Sequence, residues 1–329
     1  KKQAISFRIA CFFVSNFLRP IFPQMLLSSH TLFLINPGSG KRNDAVEVER
    51  LIHQIYHREE KAAQTAMIDF ARLDEQIQEA SKAGVKNIYA VGGDGTVNAI
   101  GARLIGTTFN FGVIPNGSGN GYARNLGYSI KTRLAIEQSL NSWAIKVDTG
   151  RFNGRSFLNV AGIGLDGEVA RIFDEGGQRG FRPYVKSSAE GLRSYQAEDV
   201  ILELDGLRHE FSDLYGIAIA NGKQWGYDAK VAPHSSITDG LLDILVVKKF
   251  PFLKAGLVVS RLFNGKFERS KYVEVFQGKS LKIIRQREGS AQIDGEPFES
   301  KAEIQVQVLE KSLNVLLPGT LTEQKVQSL

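Results

Sequence analysis

The chain contains the stretch Val91-Gly92-Gly93-Asp94-Gly95-Thr96-Val97-Asn98, a glycine-rich turn that directly follows the apolar run Ile88-Tyr89-Ala90-Val91. The apolar run predicts a short buried strand, and the residues from Val97 to Ile105 predict the start of a helix. A helix N-terminus after such a turn offers free backbone N–H groups and the positive end of the helix dipole to an anion. We therefore expect a phosphate site here, in which Asp94 serves a metal ion or a polar network.

Two further glycine-rich turns follow predicted strands. The turn from Asn36 to Lys41 follows the strand Leu32 to Ile35, and the turn from Asn116 to Gly121 follows the strand Phe111 to Pro115. The first turn is not a P-loop, because the lysine–hydroxyl ending is missing. Since the carboxyl ends of parallel strands meet at one edge of a sheet, the three turns together predict a nucleotide-phosphate site.

The pattern of strands and helices changes near Lys146. Before it, strands alternate with helical segments, which predicts an α/β domain with a parallel sheet and helices on both faces. After it, the apolar segments are short and alternating, which predicts an antiparallel β-sandwich or barrel. The predicted strands of this second part are 157–160, 200–204, 214–220, 242–247, 272–276, 280–284, 290–293 and 304–308, and its predicted helices are 166–173, 184–197 and 251–263.

The composition is that of a soluble globular protein with an anionic partner. The chain has 329 residues with a net charge of +6, and 43% of its residues are hydrophobic. This length suits about two domains, and the basic excess fits a nucleotide, a nucleic acid or an anionic membrane surface. The single cysteine, Cys11, excludes an internal disulfide and a Cys/His zinc cluster and favours a reducing compartment. No motif supports binding to nucleic acid.

Residues 1–30 differ from the rest of the chain, and we treat them as an N-terminal extension. Their apolar segments are interrupted by Arg8, Asn16 and Arg19, so no run reaches the ~18 apolar residues that span a bilayer. Lys1 and Lys2 before an apolar stretch resemble a signal peptide without a cleavage site. The alternative is that the native protein starts at Met25, and both interpretations stay open.

Three acidic positions allow more than one interpretation. Asp294 and Glu296 lie in an Asp-Gly turn between two strands, where they are either solvated or supply a general base over a bound hydroxyl. Asp239 lies in a similar Asp-Gly turn. We interpret it as a plain β-turn, with a weak metal site as the alternative. Asp166 follows Gly162-Ile163-Gly164, and we expect it to cap a helix.

Two segments combine basic and aromatic residues. They run from Gly176 to Pro183 and from Lys248 to Leu253. Either segment could contact an anionic membrane surface, and a solvated loop is an equal alternative.

The ordered set of motifs resembles the catalytic domain of the diacylglycerol kinase and sphingosine kinase superfamily, and it is most similar to the bacterial lipid kinases of that group. The Gly-Gly-Asp-Gly element alone is shared with NAD kinases and phosphofructokinases, whereas the full ordered set is specific to the lipid kinases. The matching stretches are 36–40, 92–98, 115–120, 159–166, 221–224, 239–242 and 294–297.

The resemblance implies a division into an α/β ATP-binding domain, residues 31–146 plus about 309–319, and a β-sandwich lipid-binding domain, residues 147–308. It implies ATP and Mg²⁺ as cofactors, makes Glu296 the general base, and gives Asp94 the task of organising the metal. It also maps a structural magnesium site onto Ser236, Asp239 and the carbonyl of Leu241. The residues expected to bind ATP are Asn36, Pro37, Gly38, Ser39, Gly40, Gly92, Gly93, Asp94, Gly95, Thr96, Asn98, Gly117, Ser118, Gly119 and Asn120.

The chain departs from the family pattern at two places. Gly121 stands where many bacterial members have an acidic residue that belongs to the carboxylate–water–magnesium network. The hydroxyl residue often found at the end of the second strand has Thr65 and Met67 as candidates, and Met67 cannot serve.

The expected activity is transfer of the γ-phosphoryl group of ATP to the hydroxyl of a membrane lipid, with diacylglycerol, which would give phosphatidic acid, as the first choice. We expect a cytoplasmic protein that visits the inner face of the membrane, and a homodimer stays open. The alternatives are a sphingoid-base or other lipid kinase, a kinase for a soluble substrate related to NAD kinase, and a non-catalytic regulator that binds nucleotide or lipid.

Overall fold

The computed structural model describes residues 30–40, 44–177 and 181–321. The predictions for residues 1–29 and for Lys41 therefore lie outside the described residues. The predicted basic loop of residues 176–183 is described only in part.

The first part of the chain forms a parallel sheet with the strand order β2-β1-β3-β4. After a polar first residue, β1, β3 and β4 are buried throughout, as expected when helices cover a parallel sheet. The edge strand β2 is shorter and alternates between buried and half-buried residues. The strands are β1 (Thr31–Ile35), β2 (Gln64–Met67), β3 (Asn87–Gly92) and β4 (Asn110–Pro115). The helices are α1 (Asp44–Arg58), α2 (Leu73–Lys82), α3 (Asp94–Leu104), α4 (Gly121–Asn125) and α5 (Thr132–Ser139).

The second part is predominantly antiparallel, and this confirms the predicted fold class of an α/β domain followed by a β-sandwich-like domain. Its strands are β5 (Trp143–Phe152), β6 (Arg155–Phe157), β7 (Val160–Gly164), β8 (Glu198–Leu204), β9 (Leu207–Ala220), β10 (Leu242–Lys248), β11 (Val273–Gly278), β12 (Ser280–Arg285), β13 (Gly289–Ile293), β14 (Glu296–Ser300) and β15 (Glu303–Leu317). Its helices are α6 (Leu165–Glu175), α7 (Phe181–Ser194) and α8 (Ala255–Phe263).

The long strand β15 links the two parts of the sheet. Its first half pairs antiparallel with β12, and Asn314 and Val315 in its second half pair parallel with β4. Strand β5 runs antiparallel beside it, with a register shift between Leu309 and Leu313. The apolar core around β1–β4 also contains Leu313 and 315–317, while a separate core fills the space between β7, β9, β12 and β13. The domain limits given above stay a prediction.

The sequence reading missed some elements and misplaced others. Helix α5 and strand β14 were not predicted, and the predicted strand at residues 157–160 is the end of β6 and the start of β7. The predicted helix at residues 251–263 is a short 3-10 turn, Phe252–Lys254, followed by α8. Among the described residues, no helix is long and apolar enough to cross a bilayer.

Gly112 tests the packing of the parallel sheet. It pairs with Tyr89 on β3, and an added Cβ would enter the Tyr89 ring. The ring cannot move away, because it stacks on Phe33 at 4.8 Å between centroids and its hydroxyl bonds Ser142 Oγ at 2.6 Å. We expect Gly112→Ala to lower the free energy of unfolding in urea by about 1–3 kcal/mol.

Gly256 in α8 is the matched control for this substitution, because a Cβ there meets nothing within 4 Å. Gly256→Ala should leave the free energy of unfolding unchanged or raise it by up to about 1 kcal/mol. Equal effects at the two positions would contradict the packing described for Tyr89.

Candidate active site

A cavity of about 1100 Å³ opens where the carboxyl ends of the parallel strands face the sandwich. All three glycine-rich turns contribute to its wall. The opposite wall consists of residues of α6, the loop 225–227 and the β13–β14 hairpin. The sequence prediction that the three turns share one site is therefore consistent with where the structure places them.

Side-chain hydrogen bonds join the first turn to the other two. Asn36 Nδ2 donates to Thr96 Oγ1 at 2.7 Å, and Asn36 Oδ1 accepts from the backbone N of Gly38 at 2.8 Å. Asn116 Nδ2 reaches Ser39 Oγ at 3.5 Å. The Asn36 side chain therefore stabilises its own turn through Gly38 and connects this turn to the start of α3 through Thr96.

The second and third turns touch through glycine backbones. A Cβ at Gly117 would collide with the Cα of Gly93, and a Cβ at Gly93 would be in tight contact with the Cα of Gly117. Asn120 adopts a left-handed conformation (φ 51°), and its side chain bonds both backbone groups of Gly117, at 3.1 Å and 2.8 Å. The backbones of the two turns thus form one continuous surface at the cavity wall.

Helix α3 starts at this surface with Gly93 as its N-cap and no side-chain cap. The first N–H groups of a helix have no partner within the helix. The Thr96 hydroxyl is already bonded to Asn36, and a Cβ at Gly92 would collide with the Thr96 side chain. Because the Thr96 oxygen is the acceptor in that bond, its hydroxyl can still donate, and the backbone amides at the start of α3 add further donors for an anion.

Asp94 points toward the start of α4. Its Oδ1 accepts from the backbone N of Tyr122 at 3.3 Å, and the amides of Gly121 and Asn120 also stabilise the charged carboxylate. Burial is the largest influence and raises the pKa of Asp94 to about 6, while the charge of Asp294 raises it further and the amides lower it. Asp94 therefore links α3 to the third glycine turn.

The structure explains why residue 121 is a glycine. A Cβ at this position would collide with the backbone carbonyl of Trp225. The loop 225–227 reaches the third turn through an isolated bridge between Asn120 and Gly226 and through Tyr227 N, which donates to Gly119 O at 3.3 Å. The space that a side chain at residue 121 would need is occupied by the Trp225 carbonyl.

Asp294 is the most heavily hydrogen-bonded carboxylate of the cavity wall. It lies with Gly295 in a two-residue hairpin turn in which both residues have positive φ (50° and 90°), the geometry that favours Asp-Gly. Its oxygens accept from Asn98 Nδ2 at 2.6 Å and from the backbone N atoms of Leu158, Asn159 and Val160 at 2.9–3.0 Å. Burial raises the pKa of Asp294, and these donors lower it.

These bonds bring Glu296 to the N-terminus of α3. Glu296 starts β14 and is exposed, and a Cβ at Gly95 would collide with its carboxylate. Asn98 lies one helical turn beyond Gly95 and donates to Asp294, so the hairpin and the helix are held together on one side. Both acids line the cavity, but they differ in their contacts: Asp294 accepts four hydrogen bonds from the protein, whereas Glu296 is exposed.

The prediction that Asp166 caps a helix is wrong. Helix α6 has Gly164 as its N-cap, with φ 80°, and Asp166 lies inside the first turn. Its Oδ2 accepts from Gln292 Nε2 at 2.7 Å, and a Cβ at Gly162 would collide with its carboxylate. Burial raises the pKa of Asp166 to about 6, while the Gln292 hydrogen bond lowers it. Asp166 lines the cavity on the side opposite the glycine turns.

The described residues that line the cavity carry many acids and no lysine, arginine or histidine. The acids are Asp44, Asp94, Asp166, Asp174, Asp294 and Glu296. A polyphosphate bound against these carboxylates requires a cation. The described residues hold no group of three or more His, Cys, Asp and Glu side chains that could bind a metal by themselves, so such a cation would take some ligands from the phosphates.

Most of the predicted ATP-binding residues line the cavity. Pro37, Gly92 and Asn120 lie in the turns without contributing to its wall, and neither Thr65 nor Met67 reaches it. The Thr65 hydroxyl donates instead to Glu49 Oε1 on α1 at 2.8 Å. These binding roles stay predictions.

The predicted metal set of Ser236, Asp239 and Leu241 lies outside this cavity. Asp239 Oδ1 accepts from the backbone N of Leu241 at 3.0 Å, and burial is the main cause that raises the pKa of Asp239. The neighbouring Gly240 N donates to Asp148 Oδ2 at 2.7 Å. The structure thus places this turn beside β5 and β15, and its metal role stays a prediction.

Sequence reasoning did not assign several residues of the wall. Asp166 and Gln292 form one pair, and Asn159 donates to Gln224 O at 2.8 Å beneath the loop 225–227. Asp166, Asn159 and Gln224 lie in motif stretches that carried the resemblance, which was a usable signal. Trp225 and Tyr227 had no such signal. The loop contacts the third turn through backbone atoms, and backbone contacts do not require a particular residue type.

Two family models cover most of the chain. The diacylglycerol kinase catalytic domain matches residues 30–152, and the YegS C-terminal NAD kinase beta sandwich-like domain matches residues 159–317. The chain belongs to the diacylglycerol kinase-like lipid kinase family. This confirms the resemblance that the motifs indicated.

Relatives of this lipid kinase family are distant in sequence. The uncharacterized protein sll0036 of Synechocystis sp. is 29% identical over 255 residues, which are 75% of this chain and 58% of that protein. A Yersinia pestis protein named probable lipid kinase YegS-like is 26% identical over 307 residues, which are 88% of this chain and 97% of that protein.

Solved structures show the same fold. A candidate diacylglycerol kinase from Bacillus anthracis superposes with a TM-score of 0.72 at 23% identity, covering 89% of this chain and 98% of that one. A second structure, described as a diacylglycerol kinase of the same organism, gives a TM-score of 0.66 at 20% identity with the same coverage.

Gly121 offers a test of the loop that covers the third turn. Gly121→Asp introduces the acidic residue of other lipid kinases, and its Cβ would collide with the Trp225 carbonyl. We expect a loss of about 1–3 kcal/mol in the free energy of unfolding, measured in urea. Gly121→Ala adds the same Cβ without the charge and should lose nearly as much. If both variants were as stable as the wild type, the close contact between Gly121 and the Trp225 carbonyl would be wrong.

Proposed function

We propose that this member of the lipid kinase family transfers the γ-phosphoryl group of ATP to the hydroxyl of a membrane lipid, with diacylglycerol as the first acceptor to test. The observation that carries the proposal is the exposed carboxylate of Glu296 at Gly95, beside backbone amides of the three glycine turns. A base and an anion-binding surface in one cavity are the parts that phosphoryl transfer needs.

ATP would bind with its phosphates against the glycine turns. The amides at the start of α3 supply hydrogen bonds to phosphate oxygens, and the contact between Gly93 and Gly117 leaves the backbone of two turns open to the ligand. Because the Thr96 oxygen accepts from Asn36 and the Asn98 side chain donates to Asp294, these side chains position the turns, and the backbone amides of the first turn of α3 are the donors available to the nucleotide.

The residues present fit a Mg²⁺ ion that arrives with ATP. Mg²⁺ is usually held by one or two carboxylates, waters and substrate phosphates, and the cavity supplies carboxylates without a competing cation among its described residues. Asp94 is the candidate to hold it, directly or through water. When bound, the ion would neutralise charge on the phosphate oxygens.

Glu296 would act as the general base. The acceptor oxygen forms a bond to the γ-phosphorus, the bond from that phosphorus to the β–γ bridging oxygen breaks, and ADP leaves. The proton of the acceptor hydroxyl passes to the Glu296 carboxylate. Asp294 would keep that carboxylate in place through its bonds to Asn98 and to the backbone of residues 158–160.

The apolar face of α6 favours a lipid acceptor over a soluble one. Val169, Ala170 and Phe173 line the cavity on the side opposite the glycine turns, together with Trp225. Asp166 is the carboxylate of this side, where it would accept a hydrogen bond from a polar group of the acceptor. A lipid acceptor also implies a contact with the membrane, and the predicted cytoplasmic location belongs to the same proposal.

Glu296→Gln tests the assigned base. The amide cannot accept the proton, so we expect kcat with dispersed diacylglycerol and Mg²⁺–ATP to fall by about 10²–10⁴-fold. ATP affinity, measured by calorimetry, should stay within about threefold of the wild type, since the turns are unchanged. Product formation would be followed by thin-layer separation of labelled lipid.

Glu299→Gln is the matched control, because Glu299 is also exposed on β14 and does not line the cavity. It should keep full turnover. Near-normal turnover by Glu296→Gln would remove this residue as the base. ATP binding by the wild type without phosphoryl transfer to any lipid would favour the regulator alternative, and transfer only to soluble acceptors would favour a kinase related to NAD kinase.

A further inference from the structure

An exposed apolar patch lies between β10 and the middle of α8. It consists of Phe252, Leu253 and Leu257, which are 51%, 94% and 53% exposed. We call these three side chains the α8 patch. Apolar side chains that project together from one turn and one helix are typical of an interaction surface rather than of a solvated loop.

The backbone under the α8 patch is firmly attached to the fold. Val258 is the buried residue of α8, and it packs with Phe250 in a third apolar core. Lys230 N also donates to Leu262 O at 2.8 Å. The turn and the helix that carry the three side chains are therefore anchored to the core, and the side chains project into solvent.

The surroundings of the patch are basic. Residues 248–267 contain Lys248, Lys249, Lys254, Arg261 and Lys266 and no acidic residue, although Lys248 pairs with Glu274 and Lys249 with Asp213 from neighbouring segments. On the neighbouring helix α7, the exposed Arg193 places its guanidinium 5.4 Å from the centroid of the Phe252 ring. Exposed apolar side chains with cations beside them match the interface of a bilayer, where anionic headgroups cover the apolar acyl chains.

The α8 patch and the cavity both adjoin the third apolar core. The third core contains Val258 and Phe250, and Leu165, Leu192 and Trp225 pack against it. Trp225 lines the cavity directly, while Leu165 begins α6, the helix whose Val169 and Phe173 form its apolar wall. A surface that binds at the patch is thus connected by packed side chains to the acceptor side of the cavity.

We propose that the α8 patch docks this protein onto a lipid bilayer that carries anionic headgroups. Phe252, Leu253 and Leu257 enter the interface between headgroups and acyl chains, while Lys254 and Arg193 face the headgroup phosphates. This docking rests on the proposed function, since it brings the acceptor side of the cavity to the membrane that holds the lipid.

The two kinds of contact act together. Each cation near an anionic surface strengthens binding about fivefold, and insertion of apolar side chains adds a contribution that does not depend on lipid charge. Reversible attachment of a peripheral protein needs both contributions. The docking therefore depends on anionic lipid and on the three apolar side chains.

The test is cosedimentation of the full chain with vesicles of phosphatidylcholine, with or without phosphatidylglycerol, in the absence of ATP. We expect the wild type to bind anionic vesicles at least tenfold more tightly than neutral ones. The triple variant Phe252→Ser/Leu253→Ser/Leu257→Ser should lose at least tenfold, and Arg193→Glu/Lys254→Glu at least as much on anionic vesicles. Thermal melts establish that the variants are folded.

Matched controls lie elsewhere on the surface. Val46→Ser/Leu207→Ser removes apolar side chains that are 66% and 68% exposed, and Lys86→Glu reverses an exposed cation. Both should bind vesicles like the wild type. Vesicle binding by the triple variant equal to that of the wild type overturns the docking, as does a patch variant that changes only the oligomeric state.

Activity separates the docking from the proposed function. With diacylglycerol dispersed in detergent, the patch variants should keep wild-type kcat, and with the same lipid in anionic vesicles their rate should fall in parallel with binding. A wild type that binds vesicles through the patch but phosphorylates no lipid would refute the proposed function and leave the docking in place.

Discussion

The site depends on the hydrogen bonds that the Asp294 carboxylate accepts. Its four donors come from α3 and from the segment that leads into β7, so one side chain joins the glycine-turn side of the cavity to the sandwich side. Charge-assisted bonds of this kind are about twice as strong as neutral ones. They offset the cost of partial burial and leave the adjacent Glu296 free to face the cavity.

A consequence of this arrangement is a cavity crowded with carboxylates. Burial raises the pKa of Asp94 and of Asp166 to about 6, because each is held close to backbone with little water around it. Asp94 is stabilised by the amides at the start of α4, and Asp166 by Gln292. This electrostatic background disfavours a bare polyphosphate and favours one that brings a divalent cation, which agrees with the proposed Mg²⁺–ATP donor.

Much of the fold and part of the site could be predicted from sequence. The second and third turns are marked by glycine because Gly93 and Gly117 touch, and the first turn needs glycine at Gly40, which has a positive φ of 78°. The place of the turns at strand ends follows from the parallel sheet. The role of Asp294 could not be predicted, since three of its donors are backbone N–H groups more than 130 residues away. The reason for glycine at position 121 could not be predicted either, because the Trp225 carbonyl that fills the space of a side chain there comes from a distant loop. The prediction that Asp166 caps the helix is wrong because the N-cap of α6 is Gly164, two residues earlier.

The most direct test of the account is a double-mutant cycle in kcat between Asp294→Asn and Glu296→Gln, with dispersed diacylglycerol and Mg²⁺–ATP. If Asp294 acts by placing the Glu296 carboxylate, the second substitution should cost little once the first is present, because residues that act as a unit are strongly non-additive. The account predicts that the double variant is within about threefold of the slower single variant. Losses that multiply across the two positions would contradict it.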